Sequence, residues 1–176
     1  MNISQKLKSI IRDIPDFPKE GILFKDITPI MLYPEIWNEI TTAIIEDFKE
    51  IKIDAIAGIE SRGFLFGPLL AQKLGVPFIL IRKKGKLPGE TYEISYDLEY
   101  GSATLEVHKD AITPNHNILI HDDLLATGGT VEATSELVHK LNCKVAGYSF
   151  LVELEFLKGR LPLTQYSKNI STLVRF

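Results

Sequence analysis

The stretch ILIHDDLLATGGT, residues 118–130, carries the pattern that decides the architecture. An apolar run from Ile118 to Ile120 leads into two adjacent carboxylates, Asp122 and Asp123, and these into a turn of small residues, Ala126 to Thr130. A continuous apolar run without polar alternation reads as a strand buried on both faces, the kind that parallel sheets use. After Gly129 the pattern becomes that of a helix through Leu141. At such a strand-to-helix turn the backbone N–H groups of Thr127, Gly128, Gly129 and Thr130 can converge on one anion, helped by the helix dipole and both threonine hydroxyls. Taken alone, the Gly128–Gly129 pair reads as an ordinary connection, because turns use glycine freely.

The same grammar repeats on either side. IDAIAGIE (53–60), PFILIR (77–82) and KVAGYSFLVEL (144–154) read as further buried strands. GFLFGPLLAQKLG reads as a helix closed by Gly75, its start made irregular by Pro68. Another helix follows Pro34, with Trp37, Ile40, Ile44 and Phe48 near helical spacing, and a short one carries Ile3, Leu7, Ile10 and Ile11. Tyr92, Ile94, Tyr96 and Leu98 alternate, as do Leu105 and Val107, around Gly101 and Ser102, which predicts a hairpin. Residues 13–32, DIPDFPKEGILFKDITPIML, are punctuated by Pro and Gly yet rich in apolar side chains, which predicts a loop packed against the domain.

Strands alternating with helices imply an α/β fold: one domain over residues 1–176, with a mainly parallel central sheet flanked by helices. Ligands of such sheets bind beyond the carboxyl ends of the strands, where the winding reverses. ESRGF, RKKGKLPGE and DDLLATGGT occupy such ends and are expected to converge on one crevice.

The chain has 176 residues, 45% of them hydrophobic, enough for one sizeable core. A net charge of −3 offers no footprint for nucleic acid or an anionic membrane. Cys143 is the single cysteine, so an internal disulfide is excluded, and it reads as buried filler between a helix and a strand. No apolar run has the length of a membrane span and the N-terminal residues do not read as a signal peptide, so the expectation is a soluble, cytoplasmic protein.

The acidic pair beside an anion-binding turn asks for a ligand with both features. Paired carboxylates at a strand end accept hydrogen bonds from a vicinal diol, or hold a magnesium ion through water. A ribose 5-phosphate satisfies both halves, its diol on the aspartates and its phosphate on the turn.

A hydrophobic strand, two acidic residues and a Thr-Gly-Gly-Thr turn resemble the phosphoribosyl-diphosphate (PRPP) motif of the type I phosphoribosyltransferase family. FPKEGILFKDITP, ESRGFLFGP, IRKKGKLPGETY, YDLEYG and DDLLATGGT, in that order, resemble its adenine phosphoribosyltransferase branch over most of the chain. The resemblance implies a purine salvage transferase that converts adenine and PRPP to AMP and pyrophosphate, uses Mg2+, and forms a homodimer. It implies that Asp122 and Asp123 hold the ribose diol and that Leu124 and Ala126 to Thr130 (with Thr127, Gly128 and Gly129) enclose the 5-phosphate. Magnesium would be held through PRPP and water near Asp122 and Asp123, with no direct protein cage. Pyrophosphate would meet Ser61, Arg62 and Gly63, and the basic residues Arg82, Lys83 and Lys86, of which Lys83 is the expected direct contact and Lys86 is open to the neighbouring subunit's site. On its residues alone that basic run reads as a solvated loop. Glu99 matches the family's general acid/base, although a glutamate beside a hairpin turn would otherwise read as a surface charge.

By the same resemblance residues 1–33 form a base-binding hood, in which Leu23 and Lys25 offer backbone groups to adenine and Phe24 stacks on it. Residues 83–107 form a flexible catalytic loop and hairpin. Two positions depart from the family pattern: Lys25 stands where arginine is common, and His121 where an aliphatic residue is usual. A 6-oxopurine phosphoribosyltransferase and a PRPP-sensing regulator are the competing readings. The LEYG and FPKEGILFKD pair argues against the first, and the chain's length and charge against a DNA-binding version of the second.

Overall fold

The computed structural model describes residues 1–97 and 101–176. In chain order its elements are α1 (Ile3–Ile10), β1 (Arg12–Pro15), β2 (Leu23–Asp26), α2 (Pro34–Asp47), β3 (Ala55–Ile59), α3 (Gly63–Leu74), β4 (Phe78–Lys83), β5 (Thr91–Asp97), β6 (Ser102–His108), β7 (Asn117–Leu125), α4 (Gly129–Lys140), β8 (Lys144–Glu153) and β9 (Ile170–Arg175). The main sheet has the order β5-β6-β4-β3-β7-β8-β9. From β4 to β9 all neighbours are parallel, whereas β6 runs antiparallel to β4 and to β5. The expected α/β architecture is present, with the antiparallel hairpin at one edge.

The strands are apolar without alternation because helices cover both faces. Ile118 and Ile120 of β7 pack with Tyr148, Phe150, Val131 and Leu137 on the α4 side. Between them Leu119 points the other way, joining Ile56, Leu151, Phe66, Leu70, Ile40 and Leu7 under α1, α2 and α3. Cys143 is buried, as expected of filler between α4 and β8. Truncating a core residue such as the fully buried Phe66 would cost about 3–5 kcal/mol. No helix among the described residues is long and apolar enough to cross a membrane.

Pro68 sits inside α3, and the turn ahead of it is tight: Phe64 N–H donates to Ser61 O and Leu65 N–H to Arg62 O, both three residues back. Gly75 closes the helix in the left-handed region, at φ 68°.

Residues 13–32 differ from the expected loop. Arg12–Pro15 and Leu23–Asp26 pair antiparallel as a separate two-stranded hairpin, followed by a 3-10 turn over Thr28–Leu32. Ile27 and Ile30 are fully buried, so the segment is packed, but Ile22 and Leu23 are exposed. The final strand, β9, has no expectation behind it. It is short, and its place is set by β8, against which it pairs from Tyr148↔Ile170 to Glu153↔Arg175.

Candidate active site

The carboxyl ends of β4, β3 and β7 lie side by side, and the winding reverses at β3, with β4 on one flank and β7 on the other. Three sequence-marked segments follow these strands, as the switch-point rule requires. The strand read in NILIHD, residues 117–122, contains Asp122 as expected and runs on past it, so Asp123 lies within β7 as well. β7 continues to Leu125 because β8 stays paired with it as far as Glu153, whereas its pairing with β3 stops at His121. The aspartates therefore stand on a strand edge that β3 has vacated.

Into that gap comes the start of α3. A Cβ on Gly63 would lie 2.7 Å from the His121 carbonyl oxygen and 3.3 Å from Asp122 Cα. Only glycine permits this approach, which brings Arg62 over the acidic pair. Arg62 Nε stands 2.8 Å from Asp123 Oδ2. The contact is an ion pair without an aligned hydrogen bond, since that buried oxygen has no hydrogen-bond donor. Asp122 Oδ1 accepts from Asp123 N–H at 2.8 Å. Burial, reinforced by the neighbouring Asp123 charge, pushes the Asp122 carboxyl well above the usual carboxylate range. Asp123 is also raised by burial, against the pull of Arg62.

A cavity of about 210 Å³ opens here, lined by Arg62, Asp122, Asp123, Leu124 and the turn from Ala126 to Val131. The turn caps α4 with Gly128 at φ 90°, and no side chain makes a capping hydrogen bond to the helix start. The first-turn N–H groups, which an α-helix leaves unpaired within itself, are therefore available to an anion in the cavity. Thr130 Oγ1 lies 3.1 Å from the Tyr96 hydroxyl of β5. Tyr96 is a site neighbour that the strand pattern marked only as one of the alternating residues of a hairpin.

A second pocket, of about 440 Å³ and mainly apolar, adjoins the first at Arg62 and is walled by Ile14, Phe17, Phe24, Asp26 and Thr28. Phe17 and Phe24 meet edge to face at 5.1 Å, and the Arg62 guanidinium lies 5.4 Å from the Phe24 ring centre. The structure thus brings Phe24 to the site. Leu23 is half exposed beside it, and the Lys25 side chain turns away, bonding Asp13 at 2.7 Å and lying 3.9 Å from the Phe176 ring centre. Ile14 lines the pocket too, as do Phe17, Asp26 and Thr28, which stand in the FPKEGILFKDITP stretch without a role assigned from sequence. Apolar and turn residues in a Pro-rich stretch declare no partner until the hairpin has closed.

The basic run is placed differently. Arg82 Nε bonds Glu60 Oε2 at 3.2 Å and its Nη1 donates to the Lys86 carbonyl. Lys83 N–H donates to the same Glu60 oxygen at 2.9 Å. Buried Glu106 accepts from the N–H groups of Lys86 and Leu87 at 2.8 and 2.7 Å. Burial raises its carboxyl, but the donated N–H bonds from Leu87, Lys86 and Gly85 outweigh that and hold it low. Arg82, Lys83 and Lys86 therefore flank the cavity from the neighbouring strand end and do not line it. Glu99 lies outside the described residues, as does Leu98.

His121, the unusual residue, is fully buried beneath the pair. Its Nδ1 lies 2.9 Å from Ser149 Oγ and its Nε2 has no partner. Burial pushes its pKa down to about 4, against a weaker upward pull from Ser149, so the ring is neutral.

A parallel sheet with an acid pair, an arginine and an open helix start around one small cavity defines a phosphosugar-binding class, and the sequence agrees. The phosphoribosyl transferase domain family matches residues 25–172, and the chain belongs to that family. A relative from Cytophaga hutchinsonii, called adenine phosphoribosyltransferase, is 49% identical over 174 residues, covering 99% of this chain and 96% of that one. The crystal structure of adenine phosphoribosyltransferase from Thermoanaerobacter pseudethanolicus superimposes with a TM-score of 0.93 at 48% identity, covering 98% of this chain and 99% of the other. The Saccharomyces cerevisiae enzyme, complexed with an imino-altritol bisphosphate and adenine, gives 0.90 at 46% identity, covering 97% and 98%.

Proposed function

We propose that this chain transfers the phosphoribosyl group of PRPP to adenine, giving AMP and pyrophosphate in purine salvage. The observation that carries the reading is the pair of abutting pockets: a small polar cavity with an acid pair and an anion-ready turn, and an apolar pocket with aromatic walls, joined at Arg62. The polar cavity suits a phosphoribose and the adjoining apolar pocket a flat base.

In this reading Asp122 and Asp123 accept hydrogen bonds from the ribose diol, and the N–H groups of Ala126 to Thr130 hold the 5-phosphate beside Leu124. Pyrophosphate lies towards Ser61, Arg62 and Gly63, with Arg82, Lys83 and Lys86 supplying charge once the ligand draws their side chains in. Adenine stacks on Phe24, its edge read by backbone groups of Leu23 and Lys25. Those contacts need no guanidinium, which fits a lysine whose side chain is committed elsewhere. As adenine N9 bonds to the anomeric carbon, the carbon–oxygen bond to pyrophosphate breaks, and Glu99 takes the proton that leaves the purine ring.

Magnesium would be held through PRPP and water near Asp122 and Asp123. Among the described residues no group of three or more His, Cys, Asp or Glu is placed to cage a metal, and one carboxylate of the acidic pair already faces Arg62. When bound, Mg2+ would neutralise charge on the departing pyrophosphate. The chain works as one unit, with residues 1–33 forming the base hood and residues 83–107 closing over the sugar to exclude water. A homodimer in the cytoplasm completes the proposal.

The test is pyrophosphate release from PRPP with adenine, hypoxanthine and guanine in separate reactions. Release with adenine alone supports the reading. Release with hypoxanthine or guanine instead moves the chain to the 6-oxopurine class, and binding of PRPP without release makes it a sensor.

A further inference from the structure

The outer side of the phosphate-facing turn is not solvent. A Cβ on Gly128 would lie 2.5 Å from the Gly159 carbonyl oxygen and 2.9 Å from Pro162 Cγ. Reciprocally, a Cβ on Gly159 would run into the Ala126 carbonyl oxygen and lie 3.0 Å from Leu125 Cγ. Two glycine backbones are thus pressed together, one from the turn and one from the loop that links β8 to β9. The loop is tied to its surroundings at both ends: Leu154 N–H donates to Leu125 O at 3.0 Å, and Gln165 Nε2 donates to Glu132 Oε1 of α4 at 2.8 Å.

Between these ties stands Arg160. Its Nε and Nη2 each donate to a different oxygen of Glu153, both at 2.7 Å. Nη2 also reaches Thr172 Oγ1 at 3.0 Å and Nη1 the Ile170 carbonyl. Glu153 is buried at the end of β8, itself the partner of β7 at Leu125. Burial would raise the Glu153 carboxyl, but the Arg160 fork and Thr172 more than offset it and keep the group ionised. The fork is therefore permanent at working pH and planar, a geometry that lysine cannot reproduce.

We propose that Arg160 is a positioning residue for the phosphoribosyl site: clamped on Glu153, it holds the Gly159 backbone against Gly128 and so fixes the direction of the turn's N–H groups. The inference rests on the functional reading above, because it assigns the turn a 5-phosphate. Arg160 does not line the cavity. Its effect is confined to the turn, since the apolar pocket and Arg62 are held by other elements.

The experiment compares steady-state kinetics and calorimetric ribose 5-phosphate binding for the wild type, Arg160→Gln and Arg160→Lys. Arg160→Gln is expected to raise the PRPP KM and the ribose 5-phosphate Kd by about tenfold, the effect of weakening one hydrogen bond to a charged group. The kcat at saturating PRPP and the adenine KM should stay within about twofold of wild type, a change below the resolution of one lost contact. Arg160→Lys should give an intermediate rise of about threefold, because the charge remains and the fork is lost. If Arg160→Gln cannot be recovered folded, Arg160→Lys carries the test by itself. A fall in melting temperature with PRPP KM and ribose 5-phosphate Kd at wild-type values would overturn the proposal, as it would make Arg160 purely structural. A wild type that neither consumes PRPP nor binds ribose 5-phosphate would overturn the functional reading, and this inference with it.

Discussion

The two pockets that meet at Arg62 are built in opposite ways. The polar cavity comes largely from one unbroken segment, β7, the turn and the start of α4, braced by the sheet below and by Gly159 behind. The apolar pocket comes from the edges of a small two-stranded hairpin that shares no strand with the main sheet. The first is rigid by construction, and its chemistry is that of charge and N–H donors. The second is a thin, mainly apolar wall, and on the proposed function its selectivity would rest on where a few backbone groups stand. On the proposed function, recognition of the sugar phosphate would be tied to the main sheet itself, and choice of base to a hairpin outside it.

If that division holds, changes on the two sides should separate. The largest effect is expected on the base side: adenine should be preferred to hypoxanthine by about 10⁴-fold in kcat/KM, because a carbonyl replacing the 6-amino group leaves a polar group of the site unpaired. Comparable kcat/KM values for the two bases would show that the hairpin does not read the purine edge. Next comes Glu99→Gln, expected to lower turnover by about 10²-fold while PRPP binding stays near wild type, as for loss of a positioned acid/base. Lost PRPP binding in that variant would instead place Glu99 among the structural supports of the sugar side.

On the sugar side, Asp122→Asn or Asp123→Asn should weaken PRPP binding by about 1.5–3 kcal/mol, the charge-assisted part of one hydrogen bond, with adenine binding spared. Calorimetric titration of each ligand distinguishes this from a general loss. Asp122→Asn should at the same time raise the melting temperature at neutral pH. A carboxyl whose folded-state pKa is raised supports the fold only while protonated, and that support is lost as pH climbs through the raised value. The neutral amide removes the penalty. An unchanged or lower melting temperature at pH 7 would mean that the pair is not held under strain.

The smallest effect on activity, though not on stability, is expected at His121. Its folded-state pKa of about 4 lies below the ordinary 6.5. The folded state therefore resists protonation, and stability falls as pH drops from about 6.5 towards 4, by up to roughly 3 kcal/mol for a fully buried ring. His121→Leu should flatten that acid limb in urea titrations between pH 7 and 4.5 and leave PRPP KM nearly unchanged. An equally steep limb in the variant would assign the acid sensitivity to other groups.

How far the sequence could be read follows the same division. The β7 turn was legible because everything it needs is local: a buried apolar run, two carboxylates and small residues opening a helix. The extent of β7 was not, since the strand continues past Asp122 to Leu125 only because β8 accompanies it. The β1–β2 hairpin was hidden for a related reason. Its strands are four residues each, one ends in Pro15, and the register Arg12↔Asp26 to Pro15↔Leu23 exists only once the chain has folded back. Phe24 could be marked as a base contact by resemblance, but Ile14, Phe17 and Thr28 became neighbours of Arg62 through tertiary pairing alone. Arg160 and Gly159 read as a loop after the last recognised strand, and nothing local announces that Gly159 touches Gly128. For the basic run, the sequence showed charge but not the acceptors Glu60 and Glu106 that hold its backbone.

The central claim, that one ligand spans both pockets across Arg62, is tested most directly by a crystal structure of the chain with AMP. The account predicts phosphate oxygens within about 3 Å of the N–H groups of Thr127 to Thr130, an ordinary N–H···O distance. It also predicts the ribose hydroxyls on Asp122 and Asp123, and the purine face on Phe24. AMP bound with its phosphate on the basic run of residues 82–86, or with its purine away from Phe24, would contradict it.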